Sequence, residues 1–124
     1  MMKSKIVKIA AIQTSASKKL DENLKKAVSL VGRAAKEGAK IICLGELYRT
    51  PYFPQYPKEK KDIYAESIPG ESTKVFSEVA QKYKVIIIVP IFEKDKKGEY
   101  HNSAVVIDTN GKILPVYHKL HIPH

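Results

Sequence analysis

The stretch Ile41-Ile42-Cys43-Leu44-Gly45-Glu46-Leu47-Tyr48 contains a short apolar run that ends in a carboxylate. Four consecutive apolar residues, 41 to 44, are typical of a buried strand in a parallel sheet. Ligands of open α/β sheets gather at the carboxyl ends of such strands. The stretch therefore predicts an α/β fold and places Glu46 where a binding site would form.

The residues before this strand predict a βαβ unit. The β-branched run from Ile6 to Ile12 indicates a mostly buried strand that stops at Gln13. Asp21 is expected to cap a helix, and Gly38 is expected to end it. Apolar residues recur between them at helical spacing, namely Leu24, Ala27, Val28, Val31 and Ala35. A helix between two nearby strands predicts that the strands are parallel and that the helix covers one sheet face.

The residues after the strand predict a loop and a second helix. Tyr48 to Pro57 contains three prolines and four aromatic residues, which excludes a helix or a central strand and favours an ordered, packed loop. Pro69-Gly70 predicts a turn. The apolar face of the helix that follows is formed by Val75, Phe76, Val79, Ala80 and Tyr83.

The last third of the chain predicts an antiparallel meander. Val85 to Phe92 is almost continuously apolar and should form a central strand, followed by a charged turn from Glu93 to Glu99. Further strands are expected at Ala104–Ile107 and Ile113–Tyr117, joined by a hairpin turn at 108–111. Residues 1–124 therefore read as one α/β domain: βαβ, a helix, then the meander.

Composition limits the classes of function. The formal net charge is +9, which admits nucleic acid as a partner, but only two basic residues are arginine and the lysines are scattered. A charged, solvated surface is the favoured interpretation over a nucleic-acid footprint. The single cysteine, Cys43, excludes an internal disulfide and favours the cytoplasm, and no apolar run has the length of a membrane span.

A second segment that could carry chemistry is Tyr117-His118-Lys119-Leu120-His121-Ile122-Pro123, where Lys and His follow a strand. Taken alone, Glu46 and Lys119 are more typical of exposed surface residues. Cys43 lies in an apolar run and is expected to be a small core residue. His118 and His121 lack a third ligand in sequence, so no metal site is predicted.

Four segments together resemble the nitrilase superfamily of carbon–nitrogen hydrolases, most closely its N-carbamoylputrescine amidase and β-ureidopropionase-like branches. Residues 41–48 and then 50–53 resemble the first catalytic motif, and residues 117–123 resemble the second, a Lys followed two positions later by His. Ile68 to Thr73 resembles the family's turn into its second helix. Tyr100 to Asp108 resembles its next hairpin. The likeness runs in order from residue 5 to the end of the chain.

The resemblance implies the N-terminal portion of an α-β-β-α sandwich and a Glu–Lys–Cys catalytic triad without a cofactor or metal. Glu46 would be the general base, and Lys119 the cation beside the developing oxyanion. The substrate, a small carbamoyl compound or linear amide such as N-carbamoylputrescine, would contact Tyr52, Phe53, Asn102 and His121.

Two departures from the family pattern bear on activity. Gly45 stands where the family more often has Gln or Pro. The nucleophilic Cys belongs to a third motif that follows the Lys motif, and the 124 residues contain none there. Cys43 precedes Glu46 and does not match that motif. The chain alone is therefore expected to be inactive.

An interaction or oligomerisation module is the alternative. Half of a layered sandwich leaves an apolar sheet face and unpaired strand edges exposed, which would favour pairing with a partner or with a second copy. A homo-oligomer is expected on this ground.

Overall fold

A computed structural model describes residues 5–56, 58 and 60–122. Seven main elements follow one another: β1 (Ile9–Ile12), α1 (Leu20–Lys36), β2 (Ile41–Leu44), α2 (Glu71–Tyr83), β3 (Ile86–Lys94), β4 (Tyr100–Ile107) and β5 (Tyr117–His118). Two short 3-10 helices, Phe53–Gln55 and Lys61–Tyr64, lie between β2 and α2. None of the helices in the described ranges is long and apolar enough to cross a lipid bilayer.

The strands form one five-stranded sheet in chain order, β1-β2-β3-β4-β5. β1, β2 and β3 are parallel, whereas β4 and β5 continue the sheet antiparallel. The α/β class, the βαβ unit and the central position of β3 are thereby confirmed. The fold matches part of the α-β-β-α sandwich: one sheet with its helical layer.

Both helices pack on the same face of the sheet. Leu24, Ala27 and Val31 of α1 are buried, as are Phe76 and Ala80 of α2. They meet the side chains of alternate strand residues, which include Ile42, Ile87, Val89, Val105 and Ile107. Because Phe76 is fully buried here, its replacement by Ala would cost about 3–5 kcal/mol.

The opposite sheet face carries no second layer among residues 5–56, 58 and 60–122. Within the described residues, neither a helix nor another sheet covers Cys43, Ile88, Pro90 and Ala104, which remain only half-buried. Tyr117 at the end of this face is 62% exposed. The uncovered face is therefore an apolar surface that is open to solvent.

The first strand differs from its prediction. β1 begins at Ile9 rather than Ile6, and Ile6 is 96% exposed. β1 is an edge strand that pairs only with β2. Only Ala10 and Ile12 turn toward the helices, so the expectation of a mostly buried strand was wrong.

The start of α1 also differs. Asp21 was predicted to cap the helix, but the N-cap residue is Lys19 and Asp21 lies in the first turn. A carboxylate there still stabilises the helix through its dipole. The predicted end is confirmed, since α1 stops at Lys36 and Gly38 adopts a φ of +97°.

The meander differs from its prediction: β3 and β4 are longer than expected, and β5 is shorter. β3 runs to Lys94 and β4 starts at Tyr100, so the turn between them is shorter than residues 93–99. The predicted strand at 113–117 was wrong: Ile113 makes a single bridge to Ile107, and regular pairing resumes only at Tyr117. Pro115 has no N–H to donate to a ladder, which accounts for the interruption.

Candidate active site

Glu46 and Lys119 meet although 73 positions separate them in the chain. Glu46 follows the end of β2, and Lys119 follows the end of β5. The Lys119 Nζ atom donates a hydrogen bond to Glu46 Oε1 over 3.0 Å. Asn102 Nδ2 donates to the same oxygen over 2.8 Å. Lys119 and Asn102, which come from two separate segments of the sequence, thus converge on the carboxylate of Glu46, which comes from a third.

Asn102 connects both partners. Its side chain binds Glu46, and its backbone carbonyl accepts the N–H of Lys119 over 2.8 Å. Asn102 pairs with Phe92 in the β3–β4 ladder, and side chains alternate between the faces of a strand. The Asn102 side chain therefore lies on the uncovered face, and the polar cluster forms there.

The environment of Glu46 favours its ionised form. The hydrogen bond from Lys119 lowers the pKa of Glu46 below its ordinary value, and the bond from Asn102 acts in the same direction. Within the described residues, Glu46 Oε2 accepts no hydrogen bond. One carboxylate oxygen is thus anchored, while the other is available to take a proton.

The backbone turns sharply at this carboxylate. Leu47 adopts a left-handed conformation with φ of +53°, which costs a non-glycine residue about 1–2 kcal/mol. The turn is closed by the N–H of Tyr48, which donates to the carbonyl of Gly45 over 3.1 Å. This strained turn places the Glu46 side chain beside Asn102 and Lys119 at the end of the sheet.

An ion cluster around the buried Arg49 side chain holds the segment that follows. The Arg49 side chain is 8% exposed, and its guanidinium contacts Glu66 at 2.9 Å, Glu71 at 2.5 Å and Asp21 at 3.3 Å. Asn23 Nδ2 donates to the Arg49 carbonyl over 2.7 Å. Sequence reasoning missed this cluster, although Arg49 is one of only two arginines and lies between the two parts of the first motif.

Tyr48 ties the same segment to α2. Its hydroxyl shares a hydrogen bond with Ser72 Oγ, and Ser72 Oγ in turn donates to Glu66 Oε2 over 2.8 Å. The Tyr48 ring packs edge-on against Phe76 at 5.7 Å between centroids. The loop that carries Glu46 is therefore fastened to both helices.

A cavity of about 330 Å³ opens beside Glu46. Its apolar and aromatic lining consists of Leu47, Tyr52, Phe53, Pro54, Phe92, Tyr100 and Ile122. Its polar lining consists of Glu46, Lys61, His101, Asn102 and Lys119. A larger depression of about 640 Å³ beside the β3–β4 turn holds neither Glu46 nor Lys119.

Stacked rings form one wall of this cavity. Phe53 lies 5.3 Å from Tyr64 and 4.6 Å from Phe92, and Phe92 lies 5.4 Å from Tyr100, all between centroids. The prediction that the aromatic loop is ordered and packed is borne out by buried Phe53, while Pro57 lies outside the described residues.

The predicted substrate contacts divide into two groups. Tyr52, Phe53 and Asn102 line the cavity, whereas exposed His121 is not among its lining residues. Its role in substrate binding stays a prediction. Pro123, at the end of the second motif, lies outside the described residues.

Cys43 is not part of the helix-side core. It is half-buried on the uncovered face, opposite Ala11 and Ile88 in the sheet, and its thiol donates to the carbonyl of Leu44 over 3.4 Å. The expectation of a core residue was therefore only partly right. That Cys43 is not the nucleophile stays a prediction.

One cluster in the described ranges has the composition of a cation site. Ligand atoms of Asp95, Glu99 and His101 lie within 4.8 Å of one another. The Asp95 carboxylate, however, already accepts hydrogen bonds from the backbone of Lys97 and Glu99 and pairs with His101. The three side chains therefore lie together because Asp95 stabilises the turn between β3 and β4.

Known proteins share this fold. Residues 8–124 match the carbon-nitrogen hydrolase family model, and the chain belongs to that family. It is 36% identical over 115 residues to omega-amidase NIT2 of Homo sapiens, covering 93% of this chain and 40% of that protein.

Solved structures agree with the family assignment. A carbon-nitrogen hydrolase from Helicobacter pylori G27 superposes with a TM-score of 0.85 at 34% identity, covering 94% of this chain and 40% of the other. Saccharomyces cerevisiae Nit3, a member of branch 10 of the nitrilase superfamily, gives 0.76 at 27% identity, covering 93% and 44%. The chain thus spans about 40% of the length of the relatives that it matches.

Proposed function

We propose that residues 1–124 are one partial domain of an amidase and supply its general base and its oxyanion-stabilising cation. The observation that carries the proposal is the convergence of Lys119 and Asn102 on one oxygen of Glu46, at the mouth of an aromatic-walled cavity. Family membership supports a hydrolase of carbon–nitrogen bonds.

The proposed reaction uses a thiol from the third motif of the family. Glu46 Oε2 takes the thiol proton while sulfur attacks the amide carbon, and the carbonyl electrons move onto oxygen. The ammonium of Lys119 stabilises that oxyanion. As the oxyanion collapses, the carbon–nitrogen bond breaks and Glu46 returns the proton to the leaving nitrogen.

A second half-reaction restores the thiol. Glu46 takes a proton from water, and the resulting hydroxide adds to the thioester carbon. The carbon–sulfur bond then breaks, the acid product leaves, and Glu46 returns the proton to sulfur. Each bond formed and broken is balanced without a cofactor.

The charges near Glu46 suit this sequence of steps. A lowered pKa keeps Glu46 ionised but makes it a weaker base. The same ammonium that lowers this pKa would also stabilise a nearby thiolate, because an opposite charge favours the ionised form of a thiol. The weaker basicity of Glu46 and the greater acidity of the thiol therefore offset one another in the free energy of the proton transfer.

The cavity supports a small, extended substrate. Its volume of about 330 Å³ lies at the lower end of the range for ligand pockets, and its aromatic wall would pack against an aliphatic chain. An N-carbamoyl amine such as N-carbamoylputrescine and a linear ω-amide both satisfy these limits, and the name of the NIT2 relatives favours the second. A cytoplasmic location stays part of the proposal.

The test is ammonia release by a longer polypeptide in which residues 1–124 replace the matching part of human omega-amidase NIT2 and are followed by the rest of that protein. We expect hydrolysis of a linear ω-amide or of N-carbamoylputrescine, and a loss of at least about 100-fold with Glu46→Gln, because general base catalysis contributes that much. Glu22→Gln, an exposed carboxylate on α1, is the control. Equal activity in Glu46→Gln and Glu22→Gln would reject the proposal.

The uncovered sheet face supports a second candidate function, association with another copy of the chain. This face presents half-buried Cys43, Ile88, Pro90 and Ala104 around an open groove, and exposed apolar patches of this kind mark interaction surfaces. Sedimentation equilibrium should then give a dimer or larger oligomer that Ile88→Lys dissociates. A monomer at all concentrations would remove this candidate.

A further inference from the structure

A second polar cluster lies under β5, on the helix side of the sheet. Glu93 is buried near the end of β3, and its Oε2 atom accepts a hydrogen bond from Ser103 Oγ over 2.6 Å. The same oxygen lies 2.9 Å from His118 Nε2. Within the described residues, Glu93 contacts neither a lysine nor an arginine, so the His118 ring is the one basic side chain beside its carboxylate.

The His118 ring is held on a second side. It stacks on the ring of His101, with 4.1 Å between centroids and 5° between planes. His101 is itself held by Asp95, whose Oδ2 atom lies 2.9 Å from His101 Nε2. The orientation of His118 is therefore set by one buried carboxylate and one stacked ring.

The strand that carries His118 has few other attachments. β5 consists of two residues, and β4 is its single partner among the described strands. Its neighbours are open to solvent, since Tyr117 is 62% and Leu120 is 83% exposed. The contact from His118 to the buried carboxylate of Glu93 is the side-chain anchor of this segment on the helix side of the sheet.

This anchor lies directly behind Lys119. His118 pairs with Ser103 in the β4–β5 ladder and shares its buried, helix-side face. Because successive side chains of a strand point to opposite faces, Lys119 emerges on the uncovered face, where it meets Glu46. Fixing His118 on one face consequently fixes where Lys119 reaches on the other.

We propose that Glu93 and His118 are a positioning pair for Lys119. The Glu93 carboxylate fixes the His118 imidazole on the helix side of the sheet, and this contact holds the Lys119 ammonium beside Glu46. Their functional importance rests on the proposed function of Lys119, whereas the geometric coupling does not. Burying a carboxylate has a desolvation cost. If Glu93 served only to fill space, an apolar side chain would do so at a lower free-energy cost.

The test measures the pKa of Glu46 by carboxyl-carbon NMR titration of the 124-residue chain. Lys119→Ala sets the benchmark, because it removes the donor that lowers this pKa. Glu93→Ala should raise the pKa of Glu46 by most of the benchmark shift. Glu93→Gln should restore the low value, since the amide oxygen can still accept hydrogen bonds from Ser103 and His118.

Val105→Ala is the matched control. Val105 is fully buried on the same face of β4, whereas the strand partner of His118 is Ser103, so truncating Val105 should lower the melting temperature without moving the pKa of Glu46. If Glu93→Ala lowers the melting temperature and leaves that pKa unchanged, Glu93 is merely structural and the inference is rejected.

A second variant covers the case in which Glu93→Ala does not fold. The His118 side chain is 43% exposed, so His118→Ala removes the anchor with less disturbance of the core, and it should reproduce the same shift. An unchanged pKa in His118→Ala rejects the inference. Because no turnover is measured, a shift seen here together with an inactive longer polypeptide would reject the proposed function alone.

Discussion

Arg49 Nη1 lies 2.9 Å from Glu66 Oε1, and both side chains are almost completely withdrawn from solvent, at 8% and 13% exposure. Arg49 lies three residues beyond Glu46, and its contact with Glu66 joins the loop after β2 to the segment that leads into α2. The stability of the fold and the placement of the general base are therefore linked through one guanidinium.

Removing that guanidinium should destabilise the chain strongly. Arg49→Met leaves the buried Glu66 carboxylate without its cation, which typically costs about 3–5 kcal/mol. Urea unfolding at pH 7 provides the measurement. The matched control is Arg33→Met, whose ion pair with Glu37 is exposed at 75% and 65% and should contribute at most about 1 kcal/mol. Similar losses in both variants would show that burial of the Arg49 pair is energetically unimportant.

Two glycines should respond in opposite ways to replacement by alanine. A Cβ atom at Gly45 would lie 3.7 Å from the carbonyl oxygen of Ile12, an ordinary contact, and Gly45 does not need a left-handed conformation. Gly45→Ala should therefore be neutral or stabilise by up to about 1 kcal/mol.

A Cβ atom at Gly70 would instead lie 2.3 Å from the carbonyl oxygen of Ser67, at the start of α2. Gly70→Ala should lower the melting temperature, because backbone must move to relieve the clash. Thermal unfolding of the two variants side by side checks the contrast, and a destabilised Gly45→Ala with an unaffected Gly70→Ala would contradict it.

The Glu46–Lys119 pair should stabilise the chain only above acidic pH. The folded-state pKa of Glu46 is lower than the ordinary value of 4.5, so the contribution is complete above pH 4.5 and disappears as the pH falls through the folded-state pKa. Both side chains are about half-exposed, which limits the effect to at most about 1 kcal/mol.

The measurement is the free energy of unfolding of the unaltered chain and of Glu46→Gln between pH 3 and pH 7. The gap between them should narrow toward acid. A gap that widens toward acid has the wrong sign for this ion pair.

Tyr48 should resist ionisation. Burial raises the pKa of its hydroxyl well above the usual range, so the neutral form stabilises the fold below the ordinary tyrosine pKa of 10.0. That stability should decline as the pH rises beyond this value, because the unfolded chain can then ionise. Tyr48→Phe should lose the hydrogen bond to Ser72 at a cost of about 1–3 kcal/mol and also flatten this alkaline decline. Guanidinium unfolding at pH 8 and pH 11 tests both parts.

Local patterns predicted much of the scaffold. The spacing of Leu24, Ala27 and Val31 identified the buried face of α1, and the apolar run after Val85 identified the central strand. They failed at Ile6 and at residues 113–117, because the burial of an edge strand depends on its neighbours in the sheet and not on its own residues.

The candidate site was predictable only in part. The motifs pointed to Glu46, Lys119 and Asn102, and the structure brings these side chains together. Nothing in the local sequence indicated that Glu93 would hold His118, because this contact joins residues 25 positions apart through the pairing of three strands.

The sequence by itself determined the α/β class, the helical faces and the residues able to carry acid–base chemistry, because periodicity and residue type are local properties. Only the tertiary structure decided that Lys119 and Asn102 share one oxygen of Glu46, that Arg49 is buried against Glu66 and that one sheet face stays open among the described residues. Distances between side chains depend on strand order and register, and these are set by the packing of the whole chain.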